Sequence, residues 1–560
     1  MKKGELVEGI VKKISFPNKC EVITAEGESV YVKNGLIGQE VSVRVLKKRH
    51  GVCEGDIMEV IKPADNELLP PACPHFNECG GCTYQNLSYE DQIALKEGQL
   101  REIFEEVLPK GAFTEVWEGV KRSPKQFEYR NKMEFSFGDL YKDGPLSLGM
   151  HKRGSFYDVV PVLSCKIVDE DYRKILHETL TFFRGVNATY FHKIRHEGYL
   201  RHLLVRKAVA TGEILIDLVT TASMNFESGY ADEDAMLNAY KDCLLSLTLD
   251  GRIVSVLHTK NDSVADTIND EGTDILYGQD CFYEELLGLR FKISPFSFFQ
   301  TNSKGAELLY DTAREFIGDA IKEGATVYDL YSGTGTIAQV LSPAAGHVIG
   351  VEIVEEAVEA AKVNAMLNGL ANCDFIAGDV LKALDDVTEK PDFIVLDPPR
   401  DGIHPKALEK IIDYSVDRMI YISCKPTSLA RDLKVLRARG YCVERMCAVD
   451  MFPGTMHVET VCLLSKLHEA KHHVNVKVDM DELDLTSAEA KATYKEIEGW
   501  VQEHYGFHVT NLNIAQVKQK HGIIERENYN KPKSENSRQP GCPEEKVKAI
   551  EEALKFFQMI

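Results

Sequence analysis

The sequence predicts an α/β protein in which a parallel, doubly wound sheet follows a small β domain and a central α+β domain. Short β-rich runs fill the first sixty or so residues, and mixed strands and helices follow from about residue 130. From Phe296 onward, compact apolar runs such as TVYDLYSG and DFIVLDPP alternate with helical stretches. Strands that alternate with helices are typical of a parallel sheet covered on both faces.

A chain of 560 residues exceeds what one hydrophobic core usually organises, so several domains are expected. The first β-rich runs fit a small barrel of the oligonucleotide-binding kind, although a generic small β domain fits them as well. Ser88 and Asp91 have the spacing of a capping box and predict a helix from about 89 to 107. We expect four domains, which span residues 1–63, 70–295, 296–466 and 467–560.

The last domain is expected to be helical. Thr486 and Glu489 form a second capping box, for a helix that would end near Gly506, and another short helix stops at Gly522. The final helix has one apolar stripe, formed by Val547, Ile550, Leu554 and Phe557. This segment is expected to bind RNA, bind a protein partner or pack on the body of the protein, and the sequence does not choose among these roles.

Composition restricts the class of protein only weakly. Charged residues make up 27% of the chain, and no segment has the pattern of a signal peptide or a membrane span, so we expect a cytoplasmic monomer without a membrane partner. The net charge of −21 argues mildly against nucleic acid, because phosphate contacts need Lys and Arg. Only specific sequence motifs can indicate that the protein binds nucleic acid in spite of this charge.

A glycine-containing turn follows the first strand of the doubly wound sheet. In YDLYSGTGT, Asp329 ends the strand and Gly333 and Gly335 follow it. Acidic residues end the next three strands, and side chains at these carboxyl ends face one ligand crevice: they are Glu352, Asp379 and Asp397. A single residue between the glycines, with no third glycine, fits S-adenosylmethionine better than NAD. Glu352 is placed to bind the ribose hydroxyls, and Asp379 the adenine amino group.

A cysteine ends the fifth strand, in IYISCKP. Cys424 is poorly explained as core filler at this position, and Lys425 beside it is expected to favour the thiolate. The preceding motif LDPPR has Arg400 where methyltransferases of exocyclic amines tend to have an aromatic residue. Methylation of carbon 5 of a uracil is one reaction that needs such a thiol. Carbon 5 is a poor nucleophile, and a thiolate that adds to carbon 6 makes it more reactive. A base must then remove the carbon 5 proton, and Glu459 in FPGTMHVETV is the expected base, with His457 as its rival.

Three cysteines are clustered in ACPHFNECGGCTYQ, namely Cys73, Cys79 and Cys82. Their spacing on a Pro- and Gly-rich loop predicts a metal site, and Cys165 in VLSCKIVD is the best candidate for a fourth ligand. Four thiolates suit zinc or an iron–sulfur cluster equally well. The spacing alone leaves both metals open.

These motifs together resemble the RNA uracil-5 methyltransferases, and in particular their large-subunit ribosomal branch with an iron–sulfur cluster. The resemblance covers about residues 1 to 466 and rests on FFQTN at Phe298–Asn302 and on DLYSGTGT, LDPPR, SCKP and HVET. It implies a Rossmann-like methyltransferase domain, an N-terminal TRAM barrel that binds RNA, and a central α+β domain with a [4Fe–4S] cluster. It departs from the family at Lys425, where members often have Asn.

The resemblance also assigns roles to individual residues. Cys424 would be the nucleophile and Glu459 the base, and the cysteines Cys73, Cys79, Cys82 and Cys165 would hold the cluster. The cofactor S-adenosylmethionine would lie against Gln300, Tyr331, Gly333, Gly335, Glu352, Asp379 and Asp397. The expected substrate is 23S ribosomal RNA or its precursor. The alternatives are a transfer-RNA uracil-5 methyltransferase and a non-catalytic iron–sulfur RNA-binding protein. Two basic and aromatic segments, EYRNKMEFSF and GYLRHLLVR, are expected to contact RNA.

Overall fold

The computed structural model describes residues 1–49, 52–322, 324–386, 389–466, 494–505, 507–521 and 543–556. The chain forms two compact units, which are residues 1–472 and 473–560. Thr486, Glu489, Gly506, Gly522 and Phe557 lie outside the described residues, so the second capping box stays a prediction.

The chain begins with a closed five-stranded barrel, in the order β1-β2-β3-β5-β4. Its strands are β1 (Leu6–Ser15), β2 (Lys19–Thr24), β3 (Ser29–Val32), β4 (Glu40–Arg49) and β5 (Val52–Lys62). Alternate residues of each strand point inward and form an apolar core that includes Val11, Val22 and Val43. The barrel expected from the spacing of the β-rich runs is confirmed.

The segment after the barrel crosses to the C-terminal sheet. It contains α1 (Tyr89–Glu105), α2 (Ala112–Val116) and β6 (Trp117–Lys121). Ser88 caps α1 by accepting from the N–H of Asp91 at 3.1 Å, as the capping box predicted. Apolar side chains of α1 and α2 pack among the strands of the C-terminal sheet, and β6 adds a parallel edge strand to it.

The central domain is a seven-stranded sheet in the order β13-β12-β11-β10-β7-β8-β9. Its elements are β7 (Lys132–Asp139), β8 (Leu146–His151), β9 (Val159–Val160), α3 (Glu170–Gly185), β10 (Leu200–Lys207), β11 (Glu213–Thr220), α4 (Glu233–Leu245), β12 (Arg252–Lys260) and β13 (Thr273–Gly278). The helices α3 and α4 cover one face and share an apolar core with the strands. This arrangement is the expected α+β domain.

The C-terminal sheet has eight strands in the order β18-β17-β16-β19-β20-β22-β21-β6. A hairpin of β14 (Phe282–Leu286) and β15 (Leu289–Ile293) precedes it. The first half of this C-terminal domain contains α5 (Ser303–Ile317), β16 (Thr326–Leu330), α6 (Thr336–Leu341), β17 (His347–Glu352), α7 (Glu355–Leu367), β18 (Cys373–Ala377) and α8 (Val380–Asp386). Its second half contains β19 (Phe393–Leu396), α9 (Pro405–Asp413), β20 (Arg418–Ser423), α10 (Pro426–Ala438), β21 (Tyr441–Val449) and β22 (Glu459–Lys466).

The strands β16 to β20 are parallel, and β22 is antiparallel to both of its neighbours. Two segments depart from the expected boundary at residue 296. The strand β6 belongs to this sheet although it lies within 70–295, and the β14–β15 hairpin buries Phe282 and Phe291 in the core of the same domain. Apolar burial against the larger core explains both departures, because neither short segment can form a core alone.

The second unit contains α11 (Tyr494–Tyr505), α12 (Asn511–Lys520) and α13 (Glu544–Phe556). These helices share an apolar core of their own, in which Ile550 and Leu554 of the predicted stripe are fully buried. Among the described residues of the whole chain, no helix is long and apolar enough to cross a membrane.

Candidate active site

The turn between β16 and α6 has a backbone suited to close contact with a ligand. Tyr331, Gly333 and Gly335 all have positive φ values, of 69°, 53° and 72°. A Cβ atom on Gly335 would lie 2.6 Å from the ring of Phe375, so glycine is required there. The Gly333 N–H donates to Glu352 Oε2 at 3.0 Å, which joins the turn to the end of β17.

Asp329 stabilises this turn. Its carboxylate is fully buried and accepts from the N–H of Ala338 in α6 at 2.9 Å. Burial raises the pKa of Asp329 to about 7, and the nearby carboxylate of Asp397 adds to the shift. We infer that Asp329 shapes the turn, since its hydrogen bond goes to the protein backbone.

One cavity of about 1350 Å³ extends along the carboxyl ends of β16, β17, β19 and β20. Five of the seven expected cofactor residues line it, which are Gln300, Tyr331, Gly333, Glu352 and Asp397. Gly335 and Asp379 do not. The Asp379 carboxylate accepts from the N–H of Leu381 at 2.7 Å at the start of α8. Burial raises the pKa of Tyr331, and the nearby carboxylate of Asp379 adds to the shift.

The expected nucleophile and base meet in this cavity because of strand register. In the antiparallel pair β20–β22, Ser423 at the end of β20 lies opposite Thr460, so Cys424 and Glu459 directly adjoin this last pair of the ladder. Both line the cavity, together with Asp397, Arg400 and His457. Sequence proximity could not show this pairing, because 35 positions separate the two residues.

The electrostatics of the pair are dominated by burial. Burial raises the pKa of the Cys424 thiol to about 11, and the carboxylates of Glu459 and Asp397 add to the shift, whereas the Arg400 guanidinium opposes it. Burial likewise raises the pKa of Glu459 to about 8, with Asp397 adding to the shift and Arg400 opposing it. The cation that favours a thiolate here is therefore Arg400.

The expected effect of Lys425 on the thiolate stays a prediction, and the structure shows that this lysine has another partner. The residue stands at the N-cap of α10, and its Nζ atom lies 3.5 Å from Asp401 Oδ1. Arg400 is among the main influences on the raised pKa of Cys424 and opposes the effect of burial, whereas Lys425 is not among them.

His457, the rival base, is held as a neutral imidazole. Burial lowers its pKa to about 4, and the cations of Arg400, Lys96 and Arg130 lower it further. A neutral imidazole can accept a proton, so this geometry leaves both Glu459 and His457 chemically able to serve as the base.

The loop that precedes Glu459 is fixed by α1. Lys96 is fully buried and donates to Asp450 Oδ1 at 2.6 Å and to the carbonyl of His457 at 2.9 Å. Gln92 accepts from the N–H of Gly454 at 2.7 Å. Residues 450–458 therefore have their position set by a helix far away in sequence.

The motif FFQTN serves two purposes. Gln300 lines the cavity and hydrogen-bonds the buried phenol of Tyr310, which burial and nearby carboxylates keep protonated by raising its pKa. Asn302 caps α5 and donates to the carbonyl of Met451 at 2.8 Å, so it is a structural residue. Tyr310, Arg400 and Lys96 were not predicted as site residues. A lysine within a helix gives no sequence signal that its ammonium is buried against the loop before Glu459, and an arginine after two prolines gives none that it lies near Cys424.

The four expected metal ligands lie together at the far end of the same cavity. Cys73, Cys79, Cys82 and Cys165 all line it. Burial raises the pKa of Cys82 to about 12 and that of Cys165 to about 11, and the neighbouring thiols of the cluster add to each shift. Every cysteine in the described part of the chain is free of disulfide bonds.

These thiols do not form a site for a single metal ion. No group of three or more His, Cys, Asp or Glu side chains in the described residues is arranged to hold one. A tetrahedral zinc ion would need sulfur atoms roughly 3.8 Å apart, as follows from a Zn–S bond of about 2.3 Å. Four Cys thiolates are also the usual ligands of an iron–sulfur cluster, so the residue types present suit that group.

The two segments expected to contact RNA are largely buried. EYRNKMEFSF forms most of β7 and GYLRHLLVR most of β10. Arg201 and Arg206 are 4% and 1% exposed and donate to backbone carbonyls of residues 261–265 and 294–297. These guanidinium groups hold loops in place, so the expectation that these strands bind phosphates is wrong for both residues.

The strand order, the glycine turn after β16 and the carboxylates at the strand ends define the class of S-adenosylmethionine-dependent methyltransferases. The family model of the tRNA (uracil-5-)-methyltransferases matches residues 271–467. An uncharacterized RNA methyltransferase of Caldanaerobacter subterraneus is 49% identical over 466 residues, which cover 83% of this chain and 100% of that protein. One from Clostridium tetani is 47% identical over 461 residues, 82% of this chain and 98% of that protein. The chain belongs to the RNA uracil-5 methyltransferase family.

A solved structure has the same fold. It is the tRNA (uracil-54, C5)-methyltransferase of Pyrococcus abyssi in complex with S-adenosyl-L-homocysteine. The superposition has a TM-score of 0.62 and covers 82% of this chain and 100% of that chain, at 24% sequence identity. At this identity the likeness establishes the fold only.

Proposed function

We propose that the protein methylates carbon 5 of specific uridines in 23S ribosomal RNA through a covalent adduct on Cys424. The observation that carries this proposal is that Cys424 and Glu459 adjoin the last pair of the β20–β22 ladder and line one cavity together with the glycine turn. A non-catalytic RNA-binding protein would have no need of a thiol and a carboxylate in this arrangement.

The residues divide the reaction into two halves. The Cys424 thiolate forms a bond to carbon 6 of the uracil, and carbon 5 then takes the methyl group that the bound S-adenosylmethionine supplies. Glu459 removes the proton from carbon 5, and the bond to Cys424 breaks as the 5,6 double bond returns. Arg400 favours the anionic forms of both residues, as its effects on their pKa values indicate.

We propose that Cys73, Cys79, Cys82 and Cys165 hold a [4Fe–4S] cluster. Four free thiols that line one cavity support this assignment, and zinc is the alternative that metal analysis tests. Such a cluster would cross-link the cysteine loop to the central domain, which fits a structural role.

The substrate is the finer part of the proposal. The cysteine cluster and the N-terminal barrel are the features in which the chain resembles the ribosomal branch of the family, and they favour ribosomal RNA. The similar solved protein from Pyrococcus abyssi acts on transfer RNA, which makes transfer RNA the alternative.

The test offers unmodified 23S ribosomal RNA fragments and unmodified transfer RNA to the purified protein with labelled S-adenosylmethionine. Label in 5-methyluridine of the ribosomal fragments alone is expected, and Cys424→Ala should abolish it. Label in transfer RNA alone would overturn the ribosomal assignment while leaving the chemistry intact.

A further inference from the structure

Two neighbouring loops of the central domain expose large side chains, and one of them exposes two aromatic rings. Phe156 and Tyr157, in residues 151–158, are 57% and 54% exposed. Their rings meet edge to face with centroids 5.6 Å apart. The second loop, residues 190–197, exposes Ile194 and Arg195. We name residues 151–158 and 190–197 the aromatic loops.

The aromatic loops form one surface. Lys193 lies with its Nζ atom 4.2 Å from the centroid of the Phe156 ring and donates to the Phe156 carbonyl at 3.3 Å. His151 stacks on the same ring at 5.9 Å, with the two planes 5° apart. Asp266 pairs with Lys193 at 2.5 Å and neutralises it. Phe156 is therefore held rigidly while more than half of its surface faces solvent.

This surface is continuous with the cysteine end of the cavity. The Gly80 N–H donates to the carbonyl of His151 at 2.9 Å, and Arg153 donates to the carbonyl of Cys82 at 2.7 Å. Met150, directly before the first aromatic loop, lines the cavity. An RNA whose target base reaches Cys424 would have flanking nucleotides near these loops.

The charge of the aromatic loops differs from that of the chain. They contain four Lys or Arg residues and two carboxylates, in a protein with 66 basic and 87 acidic residues. Within the described part of the chain, neither Lys152 nor Arg195 forms an ion pair, so both cations can meet phosphates. Exposed aromatic rings beside such cations suit single-stranded nucleic acid, because bases stack on the rings while cations follow the backbone.

We propose that the aromatic loops bind single-stranded nucleotides that flank the target uridine, with Phe156 and Tyr157 stacking on bases and Lys152 and Arg195 contacting phosphates. This inference rests on the proposed function and extends it to the recognition of RNA outside the catalytic cavity.

Two double variants of the full-length protein separate the contributions of stacking and charge. The first is Phe156→Ala with Tyr157→Ala, and the second is Lys152→Ala with Arg195→Ala. The matched control is Tyr141→Ala with Lys142→Ala, because Tyr141 is 61% exposed in the turn at the opposite end of β8. Binding of a fluorescein-labelled, 20-nucleotide single-stranded RNA of mixed sequence is measured at several salt concentrations.

The aromatic double variant should bind the probe roughly 10- to 100-fold more weakly, which is the range expected for losing one or two stacked bases. The basic double variant should flatten the slope of log affinity against log salt by roughly 0.7 for each lost phosphate contact. With an RNA that accepts methyl groups, both variants should raise KM and leave kcat near its wild-type value. The control should match the wild type.

Wild-type affinity in both double variants would overturn the proposal, as would an equal loss in the control. The binding test of the aromatic loops can fail or succeed independently of the methylation test of the proposed function. A protein that binds the probe through these residues but methylates no RNA would refute the reaction and keep the aromatic loops as an RNA surface.

Discussion

Lys96 and Asp450 form a fully buried ion pair, with Nζ 2.6 Å from Oδ1, that joins α1 to the loop before the expected base. The same Lys96 ammonium donates to the carbonyl of His457, two residues before Glu459. A residue of the N-terminal half of the chain thus fixes the backbone that presents the catalytic carboxylate.

Replacing Lys96 by Met should destabilise the protein by about 3–5 kcal/mol, because it leaves Asp450 charged and buried without its partner. A fall of several degrees in the melting temperature is the measurable result. Lys96→Met with Asp450→Asn should lose less than the sum of the two single changes. If the stability loss of the double variant equals the sum of the losses of the two single variants, the two residues are not directly coupled.

Arg400 should control the reactivity of Cys424. Because the pKa of Cys424 is raised to about 11, its thiolate fraction should rise about tenfold per pH unit between pH 7 and 10. Arg400→Ala should raise this pKa further and slow alkylation by iodoacetamide, whereas Glu459→Gln should lower it and speed the reaction. Mass spectrometry of the Cys424 peptide follows the rate, and Lys425→Ala serves as the control. An effect of Lys425 in place of Arg400 would contradict the geometry.

The four clustered cysteines should bind iron, and the iron content of the purified protein is the measurement. Protein purified without oxygen should be brown and contain iron, and Cys73→Ser should lose both the colour and the iron. Cys243→Ser is a suitable control, because Cys243 is a partly exposed cysteine on α4 that does not line the cavity. Zinc in place of iron at this site would refute the cluster assignment.

Much of the fold followed from periodicity in the sequence. The alternation of apolar strands and helices predicts the parallel order of β16 to β20, and the position of a residue at a strand end predicts that it faces the cavity. Cys424 and Asp397 were found in this way. These signals are local, since each depends on one strand and the turn after it.

The remaining features depend on contacts between distant segments. The strand β6 has five residues and no alternation of its own, and its place is set by pairing with β21. Lys96 lies on a helix whose pattern gives no sign that an ammonium is buried at the catalytic domain. The sequence predicts that Arg201 and Arg206 contact RNA, but both guanidinium groups are buried and donate hydrogen bonds to loop carbonyls.

The central claim is that Cys424 and Glu459 divide the reaction, and Glu459→Gln tests it most directly. This variant should attack and methylate its RNA, then stall, because the proton remains on carbon 5. The stalled product is a protein–RNA complex that survives denaturing electrophoresis, and Cys424→Ala should never form it. His457→Ala is the control for the rival base. Accumulation of the complex with His457→Ala and normal turnover with Glu459→Gln would make the histidine the base, and an active Cys424→Ala would contradict the covalent mechanism itself.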